Sequence, residues 1–136
     1  MSLLRWKDEY LTQVEEIDTQ HQRLMDLVNE IHDQMRFGRG PEAISEALGE
    51  LVRNTKFHFA SEEKLMGAAA YDQSEAHAAE HHRLLEQILE LRHSIQDGHV
   101  EVTMDDMHFL KDWLLTHFQG PDKMLAMHLL ANQAAP

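Results

Sequence analysis

The chain has 136 residues, enough for one domain with a single core and too few for two. Lys plus Arg number 12 against 24 Asp plus Glu, a formal net charge of −12, which excludes the basic surface that a nucleic-acid or anionic-membrane binder needs. Cysteine is absent, which removes disulfides, thiolate zinc sites, iron–sulfur clusters and thiol catalysis, and leaves the 11 histidines as the only good nitrogen or sulfur ligands for a transition metal.

The opening Met1-Ser2-Leu3-Leu4-Arg5-Trp6-Lys7-Asp8-Glu9 turns charged too soon for a secretory signal, and no apolar run reaches the length of a membrane span. A cytoplasmic protein is expected. Trp6 is placed in an N-terminal arm that packs across the rest of the chain. Glycine and proline then divide the sequence at Gly38-Arg39-Gly40-Pro41, at 67–72, at Asp97-Gly98 and at Gly120-Pro121. Four helical stretches lie between these breaks, with no strand alternation and no repeat.

The first helix, with Asp18 as the expected N-cap, carries Ile17, His21, Leu24, Val28, Ile31 and Met35 on one seam at steps of four and three. The second, with Pro41 in its first turn, carries Ile44, Leu48, Leu51, Thr55, His58, Glu62 and Leu65. The third, with Asp72 and Glu75 as an expected capping pair, carries His77, His81, Leu84, Ile88, Leu91 and Ile95. The fourth, with Thr103 and Asp106 as its capping pair, carries Met107, Leu110, Leu114 and His117. These patterns predict an all-α, up-down-up-down four-helix bundle with an N-terminal arm and a short C-terminal helix, a single domain over 1–136.

In that topology the start of helix one, the end of helix two, the start of helix three and the end of helix four share one end of the bundle. His21, His58, Glu62, His77, His81 and His117 therefore converge on one core layer. Such a layer costs several kcal/mol unless its members are satisfied. The pairs His58-x-x-x-Glu62 and His77-x-x-x-His81 each set two donors about 6 Å apart along a helix axis, the spacing at which a helix chelates a metal. After His117, Pro121 occupies the position a regular helix would return to the seam and should kink the chain. Asp122 then either swings inward as a seventh ligand or caps the short final helix through Leu130.

The set Trp6, Asp18-x-Gln20-His21, His58-x-x-x-Glu62-Glu63-x-x-Met66, Tyr71 followed by His77-x-x-x-His81, and Trp113-Leu114-x-x-His117-x-x-x-x-Asp122 resembles the hemerythrins, most closely the single-domain bacterial ones, over nearly the whole chain. One departure is Asp72, where many members have Pro. The resemblance implies a non-haem di-iron centre with an oxo or hydroxo bridge. In it His77, His81 and His117 would hold one iron, His21 and His58 the other, and Glu62 and Asp122 would bridge them. It further implies reversible dioxygen binding at the iron held by His21 and His58, in a pocket lined by Leu24, Phe59, Trp113, Leu114 and Phe118 whose apolar walls keep water and protons away.

Counting ligands agrees with this. Seven protein ligands are too many for one metal, whereas two six-coordinate metals sharing two carboxylates and one solvent-derived oxygen leave a single open position. The function expected is carriage, storage or delivery of dioxygen by a monomer that is not an enzyme, with a separate oxygen-consuming protein as the candidate recipient. The alternatives are a sensor of oxygen, nitric oxide or redox state, a di-iron oxidase or peroxidase, and an iron-handling protein. Ferritin-like oxidases use more carboxylates, so five histidines favour reversible binding. His32, His82, His93, His99, His108 and His128 are expected on solvated faces, Met35 and Met107 in the core, and the carboxylates Glu15, Glu16, Asp105 and Asp106 in water. The apolar segment 124–130 packs either on its own bundle or on a neighbour.

Overall fold

Apolar residues at alternating steps of three and four form helices only if each stripe is buried against another, and four such stripes close on one another in a computed structural model that describes residues 3–97 and 102–133. Helix α1 is Glu15–Arg36, α2 is Pro41–Ala68, α3 is Ser74–Gln96 and α4 is Met104–His117. A π-helical turn, Phe118–Asp122, leads without a loop into α5, Lys123–Gln133. No strand occurs among the described residues. Helix α1 packs on α2 and α4, and α2 packs on α3. The Trp113 indole N–H on α4 donates to the Leu84 carbonyl on α3 at 3.1 Å, closing the ring of four.

Helix ends depart from expectation in two places. Asp18 does not cap α1, which starts earlier at Glu15. Instead its carboxylate, buried in the first turn, accepts from Thr12 N and Thr12 Oγ1 at 2.8 Å each and from Gln13 N at 3.2 Å, so it ties the arm to the helix. The Asp72–Glu75 pair does not form, because α3 starts at Ser74 and its N-cap position, Gln73, makes no side-chain cap. The Thr103–Asp106 capping box is present, and Pro41 sits in the first turn of α2, where its missing N–H is not needed. Gly38, at φ 67°, ends α1 with the Arg39 N–H donating back to the Gln34 carbonyl at 2.9 Å, a reversal that glycine adopts without strain.

The arm lies along α1. Leu4 N donates to Asn29 Oδ1 at 2.8 Å while Asn29 Nδ2 donates to the Leu4 carbonyl at 2.9 Å, and Trp6 packs edge-on against Tyr10. It gives α1 a second buried face, on which Met25, Asn29 and His32 follow at steps of four and three. His32 is accordingly buried, contrary to the solvated position expected of it.

Two apolar clusters result. The main one includes Leu24, Val28, Leu48, Leu84, Ile88, Met107, Leu110 and Leu114. A smaller one joins Ile17, Met66, Leu125 and Ala126, each about one turn beyond a histidine or carboxylate of the polar layer, with Tyr71 from the connection between α2 and α3. The segment 124–130 thus divides: Leu125 and Ala126 pack on their own bundle, while Met124 and Met127 face outward. Met107 is core and Met35 is partly buried against it, as expected.

Candidate metal centre

The polar layer lies between the two clusters, so the site is roofed and floored by hydrocarbon rather than open at the bundle end. His21 comes from the second turn of α1, and His58 and Glu62 from the last third of α2. His77 and His81 come from the start of α3, and His117 ends α4. Asp122 is brought in by the π-helical turn. An ordinary α-helix would place residue 121 over His117. Widening one turn places residue 122 there instead, and Pro121, having no N–H, cannot close the α-helical bond to His117 that would compete. The Gly120-Pro121 pair is therefore not a break between helices but part of the device that turns a carboxylate inward.

All seven side chains expected from the sequence meet there. Five imidazoles present Nε2 to the two carboxylates, and His21, His58, Glu62 and Asp122 are completely or almost completely buried. Asp122 divides its oxygens. Its Oδ2 lies 2.6 Å from His21 Nε2 and 3.1 Å from His58 Nε2, while its Oδ1 lies 2.8 Å from His117 Nε2 and 3.1 Å from His77 Nε2. Glu62 Oε1 is 2.9 Å from His81 Nε2, 3.3 Å from His58, 3.4 Å from His77 and 3.6 Å from His117. Two ligand groups follow, each with its donor atoms within 4.8 Å of one another: His77, His81 and His117, and His21 with His58, both groups sharing Glu62 and Asp122.

The donor atoms fit metal ions. Glu62 Oε2 is buried with no hydrogen-bond partner, as is His117 Nε2, whose 2.8 Å approach to Asp122 lies off a hydrogen-bonding direction. Unpartnered buried groups of this kind are costly unless a cation serves them. The charges point the same way. Burial alone would raise Glu62, as would Asp122 beside it, yet the surrounding imidazoles hold it down to about 2. Asp122 is likewise held well below the usual range by His117, His21 and His58 against the effect of burial. Burial lowers His21, whereas His77 and His117 are pushed up to about 9 and about 10, because the two carboxylates outweigh the burial that would lower them. The two carboxylates demand positive charge, which protons on His77 and His117 supply when no metal is bound and divalent or trivalent ions would supply in their place.

Leu24, Phe59, Trp113, Leu114 and Phe118 are all buried in the main cluster adjoining the layer. The Phe118 ring stacks on His21 with centroids 3.6 Å apart, and Phe59 stacks on His81 at 3.9 Å. Phe118 therefore lies against the two-histidine group and Phe59 against the three-histidine group. Of the remaining histidines, His82 and His93 are exposed beside Glu86 and Asp97, and His108 is exposed. His128 is half-buried against Tyr71 with its Nε2 3.2 Å from the Ala69 carbonyl, not on a solvated face, and His99 lies outside the described residues.

Sequence patterning did not assign the partners behind the imidazoles. His58 Nδ1 is 2.6 Å from Gln20 Oε1, and Gln20 Nε2 donates to Ser61 Oγ at 3.1 Å. His81 Nδ1 is 3.4 Å from Glu63 Oε2 at the rim of a surface groove of about 300 Å³ that also contacts Lys56 and His82. Gln20 and Glu63 are each the immediate neighbour of a ligand residue, but they reach across to a different helix, which the periodicity of one helix cannot reveal.

Comparison with known proteins agrees with the geometry. The family described as "Hemerythrin HHE cation binding domain" matches residues 12–129. A bacteriohemerythrin of Methylococcus capsulatus is 35% identical over 91% of this chain and 95% of its own length. One from Pseudomonas aeruginosa is 37% identical over 90% of this chain and 78% of its own. A crystal structure of wild-type hemerythrin superposes with a TM-score of 0.87 at 32% identity, covering 94% of this chain and 98% of that one. With a buried His/Glu/Asp metal-binding cluster inside a four-helix bundle, the chain belongs to the hemerythrin family, among the bacterial hemerythrins.

Proposed function

We propose that the protein binds dioxygen reversibly at a non-haem di-iron centre, as a carrier, store or donor of dioxygen rather than an enzyme. His77, His81 and His117 would hold one iron and His21 and His58 the other, with Glu62 and Asp122 shared. The observation that carries the reading is the division of Asp122, one oxygen facing each histidine group. A carboxylate so divided suits two metals and is wasted on one. When bound, the iron pair supplies two electrons and one open coordination position to dioxygen.

The protein's own residues decide what that position meets. The two-histidine group has one imidazole fewer, so the opening belongs there, beside Phe118. Leu24, Trp113 and Leu114 complete an apolar surround, and the Trp113 N–H is already engaged by Leu84. None of these four residues is an acid or a base. Protons are therefore not delivered to the bound molecule, which favours its release as dioxygen over its loss as a reduced product. The five imidazoles against two carboxylates point in the same direction, being poorer in the anionic oxygen donors that ferritin-like oxidases use.

The test is to count iron, reduce the protein without air, admit air and then remove it, recording the visible spectrum throughout. Two irons per chain and an absorption band that rises in air and falls on deoxygenation are expected. One metal per chain, or a band that never reverses, contradicts the proposal.

A further inference from the structure

The two histidine groups differ in what stands behind them. His81 backs onto a carboxylate, Glu63, whose side chain is half exposed. His58 backs onto a neutral amide, Gln20, at the shorter distance of 2.6 Å. An amide oxygen can only accept, so His58 must carry its hydrogen on Nδ1 to meet it. Nε2 is then the nitrogen left to take a metal in place of a hydrogen, facing Glu62 and Asp122. The competing tautomer would place the hydrogen on Nε2 and donate it to Asp122 Oδ2. That oxygen is 3.1 Å away and already 2.6 Å from His21 Nε2, whose own Nδ1 is buried without a partner and so leaves His21 no other polar contact.

The amide has a second partner, on α2. Gln20 Nε2 donates to Ser61 Oγ at 3.1 Å while Oε1 faces the imidazole. A turned-over amide would instead offer its NH₂ to His58 Nδ1, drive the hydrogen to Nε2 and close the ligand position. Ser61 lies on α2, between His58 and Glu62, and Gln20 precedes His21 on α1, so the relay spans the two helices that supply the two-histidine group.

We infer that Gln20 is a positioning residue that holds His58 in the metal-ready tautomer and so tunes the two-histidine half of the centre independently of the three-histidine half. The inference rests on the two-metal reading above. Partners behind a metal-binding imidazole change metal affinity by roughly 10- to 100-fold when removed.

Two measurements test it on the full-length protein. In the first, Co²⁺ alone is titrated into metal-free wild type, Gln20→Leu and Gln20→Glu. Two Co²⁺ per chain are expected for wild type, with Gln20→Leu weakening one of the two by roughly 10- to 100-fold and Gln20→Glu, which keeps an acceptor at the same place, recovering it. The second binding event, unchanged, serves as the control for folding. No weakening, or equal weakening of both, overturns the inference. In the second measurement, the imidazole ¹⁵N shifts of His58 are recorded in the metal-free protein. At a pH where the ring is neutral, hydrogen on Nδ1 in wild type and Gln20→Glu, moving to Nε2 in Gln20→Leu, supports the inference, and hydrogen on Nε2 alone in wild type overturns it. If wild type takes up a single Co²⁺, the two-metal reading fails by itself, and the tautomer measurement still decides what Gln20 does.

Discussion

Asp122 and His58 separate two kinds of ligand loss. His58 serves only the two-histidine group, whereas Asp122 faces imidazoles of both. Replacing His58 by Ala is expected to remove one metal per chain and abolish dioxygen binding, while Asp122→Ala loses both metals; metal analysis of the purified variants distinguishes these outcomes from equal loss in each. Protonation supplies a second prediction. In the metal-free protein, His77 and His117 are raised to about 9 and about 10, so both hold protons at pH 7. Their stabilising effect on that state is complete below the ordinary imidazole value of 6.5 and is lost as pH rises through 9 to 10. A metal takes the same nitrogen lone pairs, so uptake at pH 7 should expel protons from both residues, and apparent affinity should climb with pH until about 9 to 10. Calorimetric titration in buffers of different ionisation enthalpy reads the protons released; uptake without proton release contradicts the assignment.

Among the elements, the π-helical turn is the one on which the site most depends. Pro121→Ala restores an N–H able to bond back to His117 and so favours the ordinary helical path, which rotates Asp122 away from the seam. The variant should keep its helix content by circular dichroism yet bind both metals more weakly; unchanged affinity would show that Pro121 does not hold the turn. This element also marks the limit of what the sequence revealed. Six ligand positions were legible because each lies on an apolar seam at steps of three and four, where a polar residue stands out. The seam alone did not decide Asp122, which only the family resemblance assigned, since five residues after His117 it falls off an α-helical seam and only a wider turn returns it. His32 was misplaced for a different reason: the seam rule assumes one buried face, and the arm gives α1 two. Asp18 looked like a cap because a carboxylate near a helix start accepts N–H groups in either role, and here it accepts those of Thr12 and Gln13 on the arm.

For the whole molecule, a buried polar layer between two apolar clusters makes folding and metal loading interdependent. Metal bound only by the native state stabilises it by about 2.7 kcal/mol at a free concentration 100 times Kd. Stripping the metal should therefore lower Tm while leaving the helices intact, since the main cluster does not include the layer. Scanning calorimetry of loaded and stripped protein checks this, and an unchanged Tm would mean that the layer is satisfied without metal. Under the proposed function, the same architecture would enclose the open coordination position in hydrocarbon and so favour reversibility. Among the described residues no helix is long and apolar enough to cross a membrane. The most direct measurement is the dioxygen balance of the anaerobically reduced, iron-loaded protein: one dioxygen taken up per two irons and recovered on evacuation is predicted, whereas uptake that cannot be recovered, or one dioxygen per iron, would contradict a shared centre built for reversible binding.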